Sequence, residues 1–222
     1  LVERVEVGRE RTVRRTSATD VVQGLTGATV VAAERRGKYL ICPLDTGQAV
    51  MIHLRMSGQL LLAPVGAHRP RHTHVVMRLA SSPERPAEEL WFVDPRTFGE
   101  VVVFDPAQPD ERVPELARLG IDPVVDPFDR ATLRHLVLGR RRRMKALLLD
   151  QHLIAGIGNI YSDEILHRAR IRPDRVSSSL TGRENTRLHA AIGEVLAAAI
   201  ETGGSTLRDA QYVDVTGASG SY

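Results

Sequence analysis

Cysteine is almost missing from this sequence. Cys42 is the only one in 222 residues, which excludes an intrachain disulfide framework and any zinc site built on several cysteines of this chain. Long apolar runs are missing too. Nothing approaches the ~18 consecutive apolar residues of a membrane span, and no basic, apolar and small-residue leader opens the chain, so a cytoplasmic protein without a membrane partner is expected. Aromatic residues make up only 4%. Lysine is scarce: Lys38 and Lys145 are the two lysines among 30 basic residues, the rest being arginine. With 42% hydrophobic and 26% charged residues the chain has an ordinary globular composition, which excludes disorder and collagen-like sequence. Its length allows one large domain or two small ones. The net charge of +3 is too small to identify a partner by itself.

Two lysines in an arginine-rich chain have two readings. They are what a codon preference left behind, or they stand where chemistry needs an amine able to lose its proton, which a guanidinium cannot do. Composition alone favours the first.

The first half is strand-like. Short runs rich in Val, Ile and Leu, bounded by Gly, Pro or Asp, predict strands at 2–7, 29–34, 39–43, 49–54, 59–62, 74–79, 90–93 and 100–104, the pattern of a sandwich or barrel. A short helix fits 20–25. Beyond Asp105 the character changes, and two prolines in 120–127 (GIDPVVDP) suggest a linker. Helices are then expected at 128–138, capped by Asp126, at 144–151 and at 159–169. Another runs from a Thr181/Glu184 capping box to the stop at Gly203 and Gly204, with Leu188, Ala191, Ile192, Val195, Leu196, Ala199 and Ile200 on one face. The fold class expected is α+β in two domains: an antiparallel β-sandwich at 1–112, a linker at 113–127 and a helical domain at 128–222. Both ends read as interrupted. Residues 1–7 already alternate as a strand, and 213–222 (VDVTGASGSY) read as a strand running into turns, so a piece of a longer protein is expected.

Several short motifs carry chemistry. Residues 155–161 (AGIGNIY) place two glycines before a helix start, with Asn159 at its N-terminus. Exposed backbone N–H groups there suit a phosphate, although tight packing also demands glycine. The run Arg140–Arg143, followed by Lys145, lies shortly before, and together they favour a nucleic-acid backbone over a merely solvated charged face. Residues 94–99 (DPRTFG) project Arg96 and Phe98 from a turn. A cation and an aromatic two residues apart suit insertion between bases; in isolation, Phe98 plugging the core is the preferred reading. In 53–58 (HLRMSG), Met56 sits beside a small-residue turn, as a wedge or as core. His72 and His74 would share one strand face, which without further ligands suggests phosphate contact or plain exposure rather than a metal. Lys38 in 35–40 (RRGKYL) enters a strand from a glycine turn. It is a surface lysine, or an amine whose pKa Arg35 and Arg36 lower by repulsion.

In this order, RRGKYL, HLRMSG, DPRTFG, KALLLDQ, AGIGNIYSDEIL, GGST and YVDVTGASG span nearly the whole chain and resemble the formamidopyrimidine-DNA glycosylase / endonuclease VIII family, its formamidopyrimidine branch above all. The resemblance implies a β-sandwich domain, a helix–two-turns–helix domain and base-excision repair. A damaged purine such as 8-oxoguanine is flipped from duplex DNA, an N-terminal proline amine releases it through a Schiff base, and β- and δ-elimination cut the strand. By the same resemblance Lys38 is the catalytic lysine, while Met56, Arg96 and Phe98 fill the void of the flipped base, with Arg96 facing the orphaned cytosine. His53, His72, Arg96, Arg140 and Asn159 contact DNA, and Lys145, Ser205, Thr206 and Tyr212 line the lesion pocket. It implies a monomer near the nucleoid, with no cofactor in this chain and zinc in the full-length family.

The sequence departs from that pattern. The family opens on Pro-Glu, its nucleophile and acid, whereas Leu1 matches a strand some twenty residues downstream; it ends on a four-cysteine zinc finger, and residues 220–222 (GSY) stand where Gly-Tyr-Phe is usual. A fragment inactive by itself is therefore expected. The alternative is a non-catalytic module that binds damaged or abasic DNA; a weaker one is a generic RNA- or ribosome-associated basic protein.

Overall fold

The computed structural model describes residues 1–205 and 212–222. They form two compact units: Leu1–Ala117 together with Gly203–Tyr222, and Arg118–Thr202.

The first unit is built on eight strands: β1 (Val2–Val7), β2 (Glu34–Arg36), β3 (Tyr39–Pro43), β4 (Ala49–His53), β5 (Gln59–Pro64), β6 (Thr73–Leu79), β7 (Glu88–Val93) and β8 (Glu100–Phe104). They make two antiparallel four-stranded sheets, ordered β1-β6-β7-β5 and β2-β3-β4-β8. β4 and β8 are buried along their whole length, including the polar residues His53 and Glu100 at their adjoining ends. Leu25, Ile52, Val75, Phe92, Val101 and Val103 belong to one core that joins the two sheets. A cavity of about 420 Å³ remains among apolar side chains of both sheets, with Cys42 on its wall. Helix α1 (Ala18–Leu25) covers β1 and β8 and starts on a Ser17/Asp20 capping box. Two short helices follow the sandwich, α2 (Pro109–Arg112) and α3 (Pro114–Ala117).

The second unit contains α4 (Arg130–Leu138), α5 (Met144–Leu148), α6 (Asn159–Ala169) and α7 (Gly182–Glu201). Leu133, Met144, Leu148, Ile165, Leu188 and Ile192 form its core. The apolar stripe of α7 is buried at Leu188, Ala191, Ile192, Val195 and Ala199, whereas Ile200 is exposed. Its Thr181/Glu184 capping box is formed.

Several expectations need correction. The run at 29–34 is not a strand: Val30 makes an isolated bridge to Leu44, and β2 starts at Glu34. Asp126 does not cap α4. Its carboxylate accepts from Asp122 N–H (2.8 Å), and Asp129 is the cap, accepting from Thr132 N–H at 2.7 Å. The expected linker at 113–127 holds α3 and a bridge between Ile121 and Ile154. Residues 203–222 belong to the first unit, not to the helical one. There Leu62 N–H donates to Val215 C=O (2.8 Å), which places the returning chain against β5. Residues 213–222 carry isolated bridges rather than a strand.

Candidate nucleic-acid interface

In the first unit the candidate residues gather around two loops. Leu54–Gly58 joins β4 to β5, and Asp94–Gly99 joins β7 to β8. Asp94 is fully buried and ties the loops together. Its Oδ1 accepts from Ser57 Oγ (2.5 Å) and Arg96 N–H (3.2 Å), and its Oδ2 from Gly99 N–H (2.7 Å). His74 Nε2 lies 2.9 Å from the Asp94 carbonyl. Gly99 admits no side chain: a Cβ there would stand 2.5 Å from Phe92 Cζ and 3.0 Å from His53 O.

Above this anchored base the three wedge candidates stand out. Met56 is 52% exposed and Phe98 39% exposed, so neither is a core residue and Phe98 does not plug the sandwich. The Arg96 guanidinium lies 4.9 Å from the Phe98 ring centroid, a cation–π contact that presents both as one unit. Tyr212 Oη donates to Met56 C=O (3.3 Å). Exposed apolar and aromatic tips on a hydrogen-bonded base are what a wedge between bases requires. Replacing Asp94 by asparagine removes one acceptor oxygen from this base. The expected result is a loss of about 2 kcal/mol and faster hydrogen exchange at Gly99 N–H; unchanged exchange would show that the carboxylate does not hold the loop.

Lys38 is solvent-exposed at the entry to β3. The protein packed around its amine, and then the Arg55 guanidinium, push its pKa below the ordinary lysine value. The repelling cation is therefore Arg55, not the expected Arg35 and Arg36. Tyr39, His53 and Glu100 lie side by side across β3, β4 and β8. His53 is buried, with its ring edge-on to Tyr39 (centroids 4.5 Å apart). Burial, and then Arg55, lower its pKa to about 4. Its Nδ1 accepts from Arg55 N–H (3.0 Å), so the ring is neutral and its proton is on Nε2.

Glu100, with 2% of its side chain exposed, is paired with three guanidiniums. Oε1 takes Arg14 (2.8 Å) and Arg55 (2.9 Å), and Oε2 takes Arg15. Burial opposes its ionisation, but the hydrogen bonds from Arg15 and Arg55 outweigh it and hold the carboxyl below its usual range. Arg15 also pairs with Glu115 (2.7 Å), whose pKa this bond lowers to about 2. Nothing in the short motifs pointed to Glu100 or Arg55. The one available signal was an acid opening an otherwise unbroken Val run.

His72 and His74 do not share a strand face. His72 precedes β6 with φ 67°, is exposed, and its ring centroid lies 6.3 Å from that of buried His74. Among the described residues no group of three or more His, Cys, Asp or Glu side chains could hold a metal, and Cys42, the sole cysteine, is buried in the sandwich. A four-cysteine zinc site therefore has no ligand set in these residues. Ser205 bridges Ser221, and Thr206 lies outside the described residues.

In the second unit Gly158 starts α6 with no side-chain cap, and Asn159 is exposed at its first position. The turn before it is held by Gln151, whose Nε2 donates to Leu149 O (3.0 Å) and Ile157 O (2.9 Å), while its Oε1 accepts from Gly156 N–H (2.9 Å). The arginine run is not helical: α5 begins at Met144, and Ser177 Oγ pins the run by donating to Arg140 O (2.5 Å) and accepting from Arg142 N–H (3.2 Å). Lys145 Nζ pairs with Asp163 on α6 (2.8 Å). No helix among the described residues is long and apolar enough to cross a membrane.

Both units match known families. Residues 1–101 match the formamidopyrimidine-DNA glycosylase N-terminal domain, and 119–211 the H2TH domain of the same enzymes. A formamidopyrimidine-DNA glycosylase of Salinispora arenicola is 44% identical over 218 residues, covering 97% of this chain and 74% of that protein. One from Desulforamulus reducens is 42% identical over 188 residues, covering 85% of this chain and 65% of its own length. Among solved structures, the Lactococcus lactis Fpg complex with abasic-site DNA superposes with a TM-score of 0.86 at 32% identity, covering 99% of this chain and 77% of that one. MutM in complex with DNA containing carbocyclic 8-oxo-G does so with 0.85 at 31% identity and the same coverage. The chain thus spans between about two thirds and three quarters of the length of these relatives. Two family models in succession, on a sandwich followed by a helical unit, place this chain in the formamidopyrimidine-DNA glycosylase family.

Proposed function

We propose that this chain recognises oxidised or abasic sites in duplex DNA, as part of a base-excision glycosylase with AP lyase activity that removes oxidised purines such as 8-oxoguanine and formamidopyrimidines. The observation that carries the reading is the wedge. Met56, Arg96 and Phe98 are exposed, and Asp94 holds both of their loops from below. Two relatives solved with abasic-site and 8-oxo-G DNA, at 31–32% identity, support the same class of partner.

In this reading Met56 and Phe98 occupy the space a flipped base leaves. Arg96 offers its donors to the edge of the orphaned base. Arg140 and Asn159 meet phosphates, and so do His72 and the Nε2–H of His53. A lysine with a lowered pKa is matched to proton transfer during elimination, which is the role proposed for Lys38. Ser205 and Tyr212 of the first unit, and separately Lys145 of the second, are proposed to contact the lesion-bearing strand. The proline amine and glutamate of the family opening are not among these residues, which begin Leu-Val-Glu. Lesion recognition is the part of the activity proposed for the residues named above.

Borohydride trapping on duplexes carrying an abasic site or 8-oxoguanine tests this, with binding scored on the same gel. The expected outcome is a shifted complex that prefers damaged over intact duplex and RNA, weakens steeply with salt, and shows no covalent band. A covalent band would show that Lys38, Lys145 or the N-terminal amine forms a Schiff base. Equal binding to intact duplex or RNA would overturn the reading.

A further inference from the structure

We propose that Arg55 is a positioning residue for opposite-base discrimination: through Glu100 it fixes the turn carrying Met56 against the loop carrying Arg96 and Phe98. The proposal rests on the lesion-recognition reading above.

Arg55 has φ 54°, a left-handed conformation that favours glycine and that an L side chain adopts at a cost. Its guanidinium donates to Glu100 Oε1 at 2.9 Å. The same oxygen pairs with Arg14 at 2.8 Å. Arg14 in turn donates to Phe98 O (3.1 Å) and Gly99 O (3.3 Å). A continuous polar chain thus runs from the Met56 turn to the carbonyls of the Phe98 loop.

A second tie, Ser57 Oγ to Asp94, runs beside it. Met56 therefore sits between two anchored neighbours, residues 55 and 57, with its side chain exposed between them. The Glu100 carboxylate is almost wholly buried, so these contacts escape most of the solvent screening that weakens surface pairs.

Charge balance does not account for Arg55. Without it Glu100 keeps Arg14 and Arg15, and Glu115 keeps Arg15. A strained backbone that carries one of three guanidiniums on the same buried carboxylate points to where it holds the turn.

Arg55→Gly tests this, because glycine relieves the backbone while removing the strut. The 222-residue chain is titrated with duplexes carrying a tetrahydrofuran abasic analogue opposite C or opposite A, at several salt concentrations. The Met56 methyl signal is followed in the free protein by carbon-13 labelling of its four methionines, and assigned with Met56→Leu. The ratio of the two Kd values is expected to shrink by roughly tenfold with the salt slope unchanged, and the Met56 methyl is expected to gain motion. A uniform loss of affinity with the slope reduced by about one would make Arg55 a phosphate ligand and overturn the proposal. An unchanged ratio would overturn it too. If the parent chain shows no preference for abasic duplex, the recognition reading fails, and the methyl signal still decides the strut: altered motion supports it, unchanged motion overturns it.

Discussion

Replacing Glu100 by alanine is expected to cost the first unit about 3–5 kcal/mol, the loss found when one partner of a buried charge pair is removed. The substitution leaves two guanidiniums without a carboxylate. Arg15 retains Glu115, but Arg14 and Arg55 lose the carboxylate oxygen they share. The burial of that carboxylate, with 2% of its side chain exposed, separates this pair from a surface one. Glu115, 38% exposed, is the comparison within the same network, and Glu115→Ala is expected to cost under about 1 kcal/mol. Thermal unfolding checks both, with a drop on the order of 10 °C for the first variant. Equal small shifts would show that the arginines are solvated well enough to need no buried partner. Both carboxyls have lowered pKa values in the folded state. They therefore bind fewer protons folded than unfolded as the pH falls, and their contribution is complete above the unfolded value near 4.5 and lost on acidification, for Glu115 down to about 2.

The second large effect appears at a milder pH. His53 is a base whose folded pKa, about 4, lies below its ordinary 6.5. Between these values the unfolded chain binds a proton that the folded chain refuses, so stability falls as the pH drops from 6.5 towards 4. The full change is about 3 kcal/mol at 1.36 kcal/mol per unit. His53→Asn is expected to flatten that part of the unfolding profile. A His53 ring proton that titrates near 6.5 by NMR, or an unchanged slope in the variant, would contradict the assignment.

What could be read from residue order followed the strength of local physics. Strands β1, β3 and β8 and helix α6 occur at the bounds expected, because period-2 or 3.6 patterning and flanking breakers agree there. The Thr181 capping box was equally local. The cap of α4 was misplaced by three residues because Asp126 and Asp129 are both good candidates, and only the turn Asp126 makes with Asp122 separates them. Met56, Arg96 and Phe98 stood in recognisable motifs, but their exposure was undecidable without the fold. Asp94 looked like a turn opener and is a buried carboxylate that holds two loops. Arg55 and Glu100 were invisible for a plain reason: they lie 45 residues apart, and only the pairing of β4 with β8 brings them together.

The chain of the first unit is discontinuous, with Arg118–Thr202 inserted before residues 203–222 return to it. That order has a consequence for folding. The open side of β5 is covered where Val215 accepts from Leu62, but this partner leaves the ribosome about 150 residues later. Until then one edge of the sandwich offers unpaired amides to any neighbouring chain. An inserted unit that folds promptly on its own local contacts shortens the loop that must close, and the closing penalty grows only with the logarithm of its length. In this chain order the last partner of β5 is also the last part of the first unit to be made, so that edge is the one left open longest during synthesis.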